Sequence, residues 1–259
     1  MTYLRDRAVV LRSEPFREHD RRIVLFGIQH GLLEAVARGA SRSEAKQAGH
    51  IVPFSEIEVL IAKGMMFDKL AVATVVEQRR AVRRRLGALA FAGAFMDIFE
   101  RMQRPGIVDE GLYELLLDVL SVAENLPDDP SPERARLLYS AAALKLLDRV
   151  GFAPALSGCV FCRESLGSGE AWMLPMDGTI ACADCYRTVR HTHPNAELIE
   201  PATIVLLRFL RREPLGRVLL LTGSSDVFAS ASSAVELSLR QAPLMRAPHG
   251  AETIVALLS

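Results

Sequence analysis

Short apolar runs separated by turn-forming residues occupy the first third of the chain, and longer runs with a helical period occupy the rest. Ala8-Val9-Val10-Leu11 opens the series and Ile23-Val24-Leu25-Phe26-Gly27 follows. Gly27 to Gly31 reads as a hairpin turn leading into a third strand over Leu32 to Ala37. Ile57, Val59 and Ile61 alternate with Glu58, Leu60 and Ala62, which predicts a strand with one face buried and the other partly so. Gly64 breaks that run, and Phe67 to Val76 supplies a fifth strand. Five short strands with no helix between the first three predict a small antiparallel barrel over residues 1–80. An OB-fold is preferred to an SH3-like barrel, because five strands close it with few edges left exposed.

At Arg79 the period changes to that of a helix. Leu86 to Met102 carries Leu89, Phe91, Phe95, Ile98 and Phe99, and Leu112 to Val122 forms a second helix beside Asp109, Glu110, Glu114 and Asp118. Pro127-Asp128-Asp129-Pro130 breaks the pattern, and Ser131-Pro132-Glu133 starts a third helix, with serine as cap and proline in the first turn. That helix runs to about Val150, ends at Gly151 and is apolar nearly all round, the mark of a buried central helix. Pro201 opens a fourth, with Leu206, Phe209 and Leu210 inward and Arg208, Arg211 and Arg212 outward; a fifth covers Asp226 to Gln241, and Thr253 to Leu258 is expected to dock. The class is therefore α+β: a barrel, then a helical domain over 81–259 with an insertion at about 155–195.

Half of the 259 residues are apolar, enough for a real core. No run reaches the ~20 apolar residues of a membrane span, and the charged start at Met1 to Arg7 lacks the form of a signal peptide. A cytoplasmic protein with reduced thiols is expected. The net charge is zero, yet residues 1–85 hold 16 Lys and Arg against 10 Asp and Glu, while residues 97–133 hold 10 acidic residues against 2 basic. A basic beginning suits polyanions; an acidic middle repels them or meets a basic partner.

Two stretches carry the positive charge. Between the third and fourth strands, Arg38, Arg42 and Lys46 stand among small residues that let a backbone approach, so they suit phosphate contacts blind to base sequence, or form an ordinary solvated loop. Five of the seven residues 79–85 are arginine, and helical spacing would put Arg79 with Arg83 and Arg80 with Arg84 on shared faces. Such a face repels itself unless a polyphosphate, or acidic side chains of the middle region, lie close.

The only four cysteines form two pairs, Cys159-Val160-Phe161-Cys162 and Cys182-Ala183-Asp184-Cys185. Two residues between thiols aim both sulfurs at one point, and two such knuckles make the thiolate tetrahedron of a structural zinc site. Trp172-Met173-Leu174 and the turn at Asp177-Gly178 predict the hairpin between them. His191 and His193 follow, but four sulfurs already close the tetrahedron, leaving no position for an activated water. No His-x-Glu, phosphate-binding glycine loop or nucleophile elbow occurs, so the chain does not read as an enzyme.

Taken together, Glu18-His19-Asp20-Arg21-Arg22-Ile23-Val24-Leu25-Phe26, Gly31 to Ala40, Pro53-Phe54, Glu58, the Gly64 to Leu70 segment and the zinc pairs after a long helix resemble the bacterial recombination-mediator and DNA-repair family RecO. The resemblance covers essentially the whole chain. It implies a non-enzymatic mediator that binds single- and double-stranded DNA, anneals complementary strands, pairs with RecR and the single-strand-binding protein, and helps load RecA at the nucleoid. Arg38, Arg42 and Lys46, joined by Arg79 and Arg83, would then neutralise phosphates, and Phe16, Phe54 or Phe67 would either stack bases or belong to the core. Some family members lack the cysteines, which implies a structural Zn2+. Ser41, Glu44 and Ala45 stand where relatives often carry more basic residues. Two other classes fit parts of the pattern: a protein-interaction adaptor with a structural zinc site and no direct DNA binding, and a metal-dependent hydrolase built on His191, His193 and cysteines.

Overall fold

The computed structural model describes residues 2–42, 48–127, 130–167, 169–174 and 178–242. Lys46, Asp128, Asp129, Asp177 and the segment Thr253 to Leu258 lie outside them. Two compact units are formed: residues 1–92 with 103–124, and residues 93–102 with 125–259.

The first unit is built on five strands, β1 (Tyr3–Phe16), β2 (Asp20–Gly27), β3 (Gly31–Ala37), β4 (Glu56–Ala62) and β5 (Lys69–Glu77). Their pairings run β1-β2-β3-β5-β4 and return to β1. The ring depends on the length of β1. Its first part, Tyr3 to Val9, pairs with β4, and Ala8 to Phe16 pairs with β2, with a register shift between Val10 and Arg12. The sequence pattern marks only Ala8 to Leu11, because the flanking residues are largely charged and partly exposed. All pairings are antiparallel except Val36 with Lys69 of β5, reinforced by the Val36 N–H donating to the Asp68 carbonyl at 2.9 Å. Alternate residues, among them Ala8, Val10, Ile23, Leu25, Leu33, Ala35, Ile57, Val59 and Ile61, fill the interior, as the period of two along a strand requires.

Glycine is obligatory at two turns. At Gly27 an added Cβ would lie 2.1 Å from an oxygen of Asp6. That carboxylate is buried and accepts the N–H groups of Gln29 and His30, at 3.1 and 3.0 Å, so it closes the β2–β3 turn. At Gly31 φ is +64°, and a Cβ would strike the Ile107 carbonyl. Three helices complete or border this unit: α1 (Arg80–Arg84), the start of α2 (Leu86–Met102), and α3 (Glu110–Glu124). From α3 the Tyr113 hydroxyl donates to buried Glu56 at 2.8 Å, and Arg7 Nε meets the same oxygen at 2.7 Å.

In the second unit α4 (Pro132–Arg149) packs against α6 (Pro201–Arg212), α7 (Leu215–Val218) and α8 (Ser225–Gln241). Ser131 caps α4 by accepting the Arg134 N–H, and proline takes the first turn, as predicted. Leu137, Leu138, Ala141, Leu144, Leu146 and Leu147 are all buried, which accounts for an apolar pattern with no polar face. In α2, Phe91, Phe95, Ile98 and Phe99 are buried, but Leu89, expected among them, is exposed. Between α4 and α6 lie β6 (Ala171–Leu174), β7 (Thr179–Cys182), α5 (Ala183–Val189) and β8 (Glu197–Ile199), the strands in the order β7-β6-β8. No helix among the described residues is long and apolar enough to cross a membrane.

Candidate functional site

Arg38 follows the last residue of β3 and is exposed, as is Arg42. The backbone between them is pinned to the β1–β2 turn. Asp20 accepts the Gly39 N–H at 2.9 Å, and the His19 carbonyl accepts the Ser41 N–H at 2.9 Å. Gly39 takes φ +65°, the left-handed conformation that glycine adopts without cost, and its carbonyl receives the Arg42 N–H. Two guanidinium groups are thus presented to solvent from a turn with fixed backbone. Lys46 lies outside the described residues.

Arg79 and Arg83 do not share a helical face. Arg79 precedes α1 in the left-handed region, at φ +45°, and its side chain is only 8% exposed. It pairs with Glu77 at 2.8 Å and with Glu124 of α3 at 2.8 Å. Arg83 is half-buried and donates to the Pro53 carbonyl at 3.0 Å. Burial first, and then the neighbouring Arg80 charge, pulls its pKa down from the ordinary guanidinium value. Arg80 donates to Gln78, and Arg85 to the carbonyl of Glu124. Glu124 of the acidic middle region pairs with Arg79, and a backbone carbonyl takes Arg83, so both arginines are engaged within the protein. Sequence spacing missed this because a left-handed residue before a five-residue helix breaks the i,i+4 relation. Phe54, a stacking candidate, is buried in the core with φ +74°.

The four cysteine sulfurs lie within 4.8 Å of one another. Cys162 Sγ is 3.8 Å from Cys182 Sγ, and a tetrahedron with metal–sulfur arms of roughly 2.3 Å has edges of about 3.8 Å. The first knuckle is closed by the Cys159 N–H donating to Glu164 at 2.8 Å and by the Arg163 N–H donating to Cys159 at 2.9 Å. Arg163 takes φ +64°. A Cβ on Gly158 would stand 2.9 Å from the Arg163 carbonyl, so the close return of the chain needs glycine there. The second knuckle is the junction of β7 with α5, Cys182 preceding the first turn of the helix and Cys185 within it. The Trp172 ring stacks on Tyr186 at 4.1 Å, fixing α5 to the sheet.

Electrostatics suit a bound cation. Burial raises the Cys159 pKa, but backbone N–H groups of Cys162, Cys182 and Phe161 outweigh it and bring the thiol down to about 6. Cys185 is pushed up to about 12, first by its hydrogen bond with Cys182, then by burial and the other two sulfurs. One thiolate forms readily and makes the next harder to form, so four need a metal between them. All-sulfur donors fit a borderline-soft divalent ion and leave it no open position. Neither His191 nor His193 belongs to the cluster. Arg208, expected outward, instead donates to the Leu156 carbonyl at 2.9 and 2.6 Å and to that of Leu166 at 3.2 Å, tying both approaches of the first knuckle to α6.

Comparison with known proteins gives a consistent result. The family described as Recombination protein O N terminal matches residues 1–79, and Recombination protein O C terminal matches residues 83–242. A DNA repair protein RecO of Desulforudis audaxviator is 31% identical over 211 residues, covering 82% of this chain and 80% of its own. Proteins of the same name from Geobacter metallireducens and Rubrobacter xylanophilus are 30% and 27% identical, each over 83% of their own length and 81% and 83% of this chain.

Proposed function

The chain belongs to the RecO family, and on that premise we propose that it is a non-enzymatic recombination mediator in DNA repair. It binds single- and double-stranded DNA, anneals complementary strands, and with RecR and the single-strand-binding protein helps RecA onto coated single strands. We read the ring of five strands as an OB-fold and residues 1–80 as the nucleic-acid-binding domain, followed by a helical domain with its metal-binding insertion at about 155–195. The observation that carries the reading is the exposed pair Arg38 and Arg42 on a pinned turn of the barrel, within a chain matched by both family descriptions. Lys46, from the same loop, is taken to join them.

The chemistry required is modest. Phosphate groups keep two complementary strands apart, and guanidinium and ammonium groups that neutralise them lower that repulsion and release condensed counterions. Such contacts are blind to base sequence, as an annealing protein needs. Zn2+ is the metal proposed for Cys159, Cys162, Cys182 and Cys185. Once bound, it cross-links the insertion and supplies folding free energy. No step of annealing passes through it.

The test is annealing of complementary oligonucleotides precoated with the single-strand-binding protein. The wild-type chain should accelerate duplex formation, and the Arg38→Ala/Arg42→Ala/Lys46→Ala variant should fall back toward the rate without added protein. A wild-type chain that leaves the rate unchanged would refute the mediator reading.

A further inference from the structure

The four sulfurs of the metal cluster are not equally placed. Cys159 is only 2% exposed, and backbone N–H groups of Cys162, Cys182 and Phe161 point at its sulfur. Cys182 and Cys185 are half-buried, one at the end of β7 and the other in the first turn of α5. Cys162 alone of the four is exposed. Its neighbours leave the approach open, since Val160 and Phe161 are themselves 40% and 48% exposed and Arg163 stands in solvent.

The second observation is a distance. Cys162 Sγ lies 3.8 Å from Cys182 Sγ, near contact for two sulfurs, and the pair spans the two knuckles. The Cys182 side chain makes no capping bond to α5 that would hold it back. Oxidation of a cysteine follows its thiolate character and its exposure, and it stops at a disulfide when a second thiol is within reach. Metal binding requires the thiolate, so exposure and a neighbouring sulfur decide which cysteine reacts. Both conditions meet at Cys162.

We propose that Cys162 is an oxidation site with Cys182 as its resolving partner, so that hydrogen peroxide opens the metal cluster reversibly. The Cys162 thiolate attacks one peroxide oxygen. The S–O bond forms, the O–O bond breaks, and the departing hydroxide takes a proton and leaves as water. The sulfur is now a sulfenic acid, and the peroxide has been reduced by the two electrons it lost. The Cys182 thiolate attacks that sulfur; the S–S bond forms, the S–O bond breaks, and the second hydroxide leaves as water with a second proton. One peroxide and two protons are consumed for each disulfide, and two waters form. Cys159 and Cys185 remain, too few donors to retain an ion held by four. The inference rests on the zinc assignment above and not on the DNA-binding reading. It makes the cross-link of the insertion conditional on redox state.

The test treats the full zinc-loaded chain with hydrogen peroxide beside a colorimetric zinc indicator. Zinc release should rise with peroxide, dimedone added during the reaction should be found on Cys162 and not on Cys159, and digestion at the end should yield a peptide pair joined from Cys162 to Cys182. Dithiothreitol with added zinc should restore the bound metal. Oxidation of exposed Met65 and Met66 consumes peroxide but releases no zinc. Cys162→His keeps a metal ligand at that position without its sulfur, and zinc release from it should be about tenfold slower, the exposed thiolate being gone. If that variant does not hold zinc, the wild-type dimedone label and the joined peptides decide alone. A chain that binds no zinc overturns the metal assignment and this inference with it. A chain that keeps its zinc under peroxide, or a Cys162→His variant that loses it at the wild-type rate, removes the oxidation site and leaves the metal site standing. A Cys159–Cys162 link, or sulfonic acid at Cys162, as the main product contradicts the role given to Cys182.

Discussion

Glu56 is a buried carboxylate in β4 whose two side-chain partners, Arg7 and Tyr113, come from 49 and 57 positions away. Tyr113→Phe removes one donor and leaves Arg7 alone to satisfy the charge. A loss of about 1–3 kcal/mol is expected, the cost of an under-satisfied buried group, measurable as a lower urea midpoint with unchanged slope. The pH dependence follows from the same contact. Burial, and then the hydrogen bond to Glu56, raises the Tyr113 pKa well above its ordinary value, which is about 10. Its contribution is therefore whole below about pH 10 and is lost as pH rises toward the folded value. The variant should lack that alkaline decline; an identical decline in both proteins would contradict the assignment. At this scale the cysteines were fully legible, because a two-residue spacer fixes how two thiols point. Arg79 was not, because its left-handed backbone and its Glu124 partner, 45 residues on, leave no mark on local spacing.

The insertion between α4 and α6 holds two knuckles, one on a loop closed by Gly158 and Arg163 and the other at a strand–helix junction. It buries Leu156, Leu166, Met173, Leu174, Ile180 and Ile199, and thiolate–metal bonds should add to the order that this packing gives. Cys159→Ala, or a strong chelator, is expected to lower bound zinc from about one per chain toward none. The thermal midpoint read at the helical circular-dichroism minimum should fall, while the barrel keeps its strands by infrared or amide exchange. An unchanged midpoint after complete metal loss would remove the structural role. Strands β2 to β5 and the long helices were legible because their periods of 2 and 3.6 are carried by buried residues. The ends of β1 were hidden by exposed charged positions, and β8, three residues with two exposed, is too short to show a period. Nor did the acidic stretch of α3 announce that Tyr113 and Glu124 serve the barrel unit, since pairing across 45 to 57 residues is a property of the fold.

For the whole molecule a net charge of zero argues against nucleic-acid binding, but its distribution gives a different answer. Glu124 occupies Arg79 and the Arg85 side chain, while Arg38 and Arg42 remain exposed on the barrel. Affinity should therefore come from a few exposed contacts and depend on salt accordingly. The central claim is that the loop after β3 holds DNA phosphates. Titrating a labelled single strand over a salt series with the wild-type chain and with Arg38→Ala/Arg42→Ala/Lys46→Ala tests it directly. Three lost contacts should weaken binding at every salt concentration and make the slope of log K against log salt shallower by about 2. The same affinity and the same slope in both proteins would contradict it.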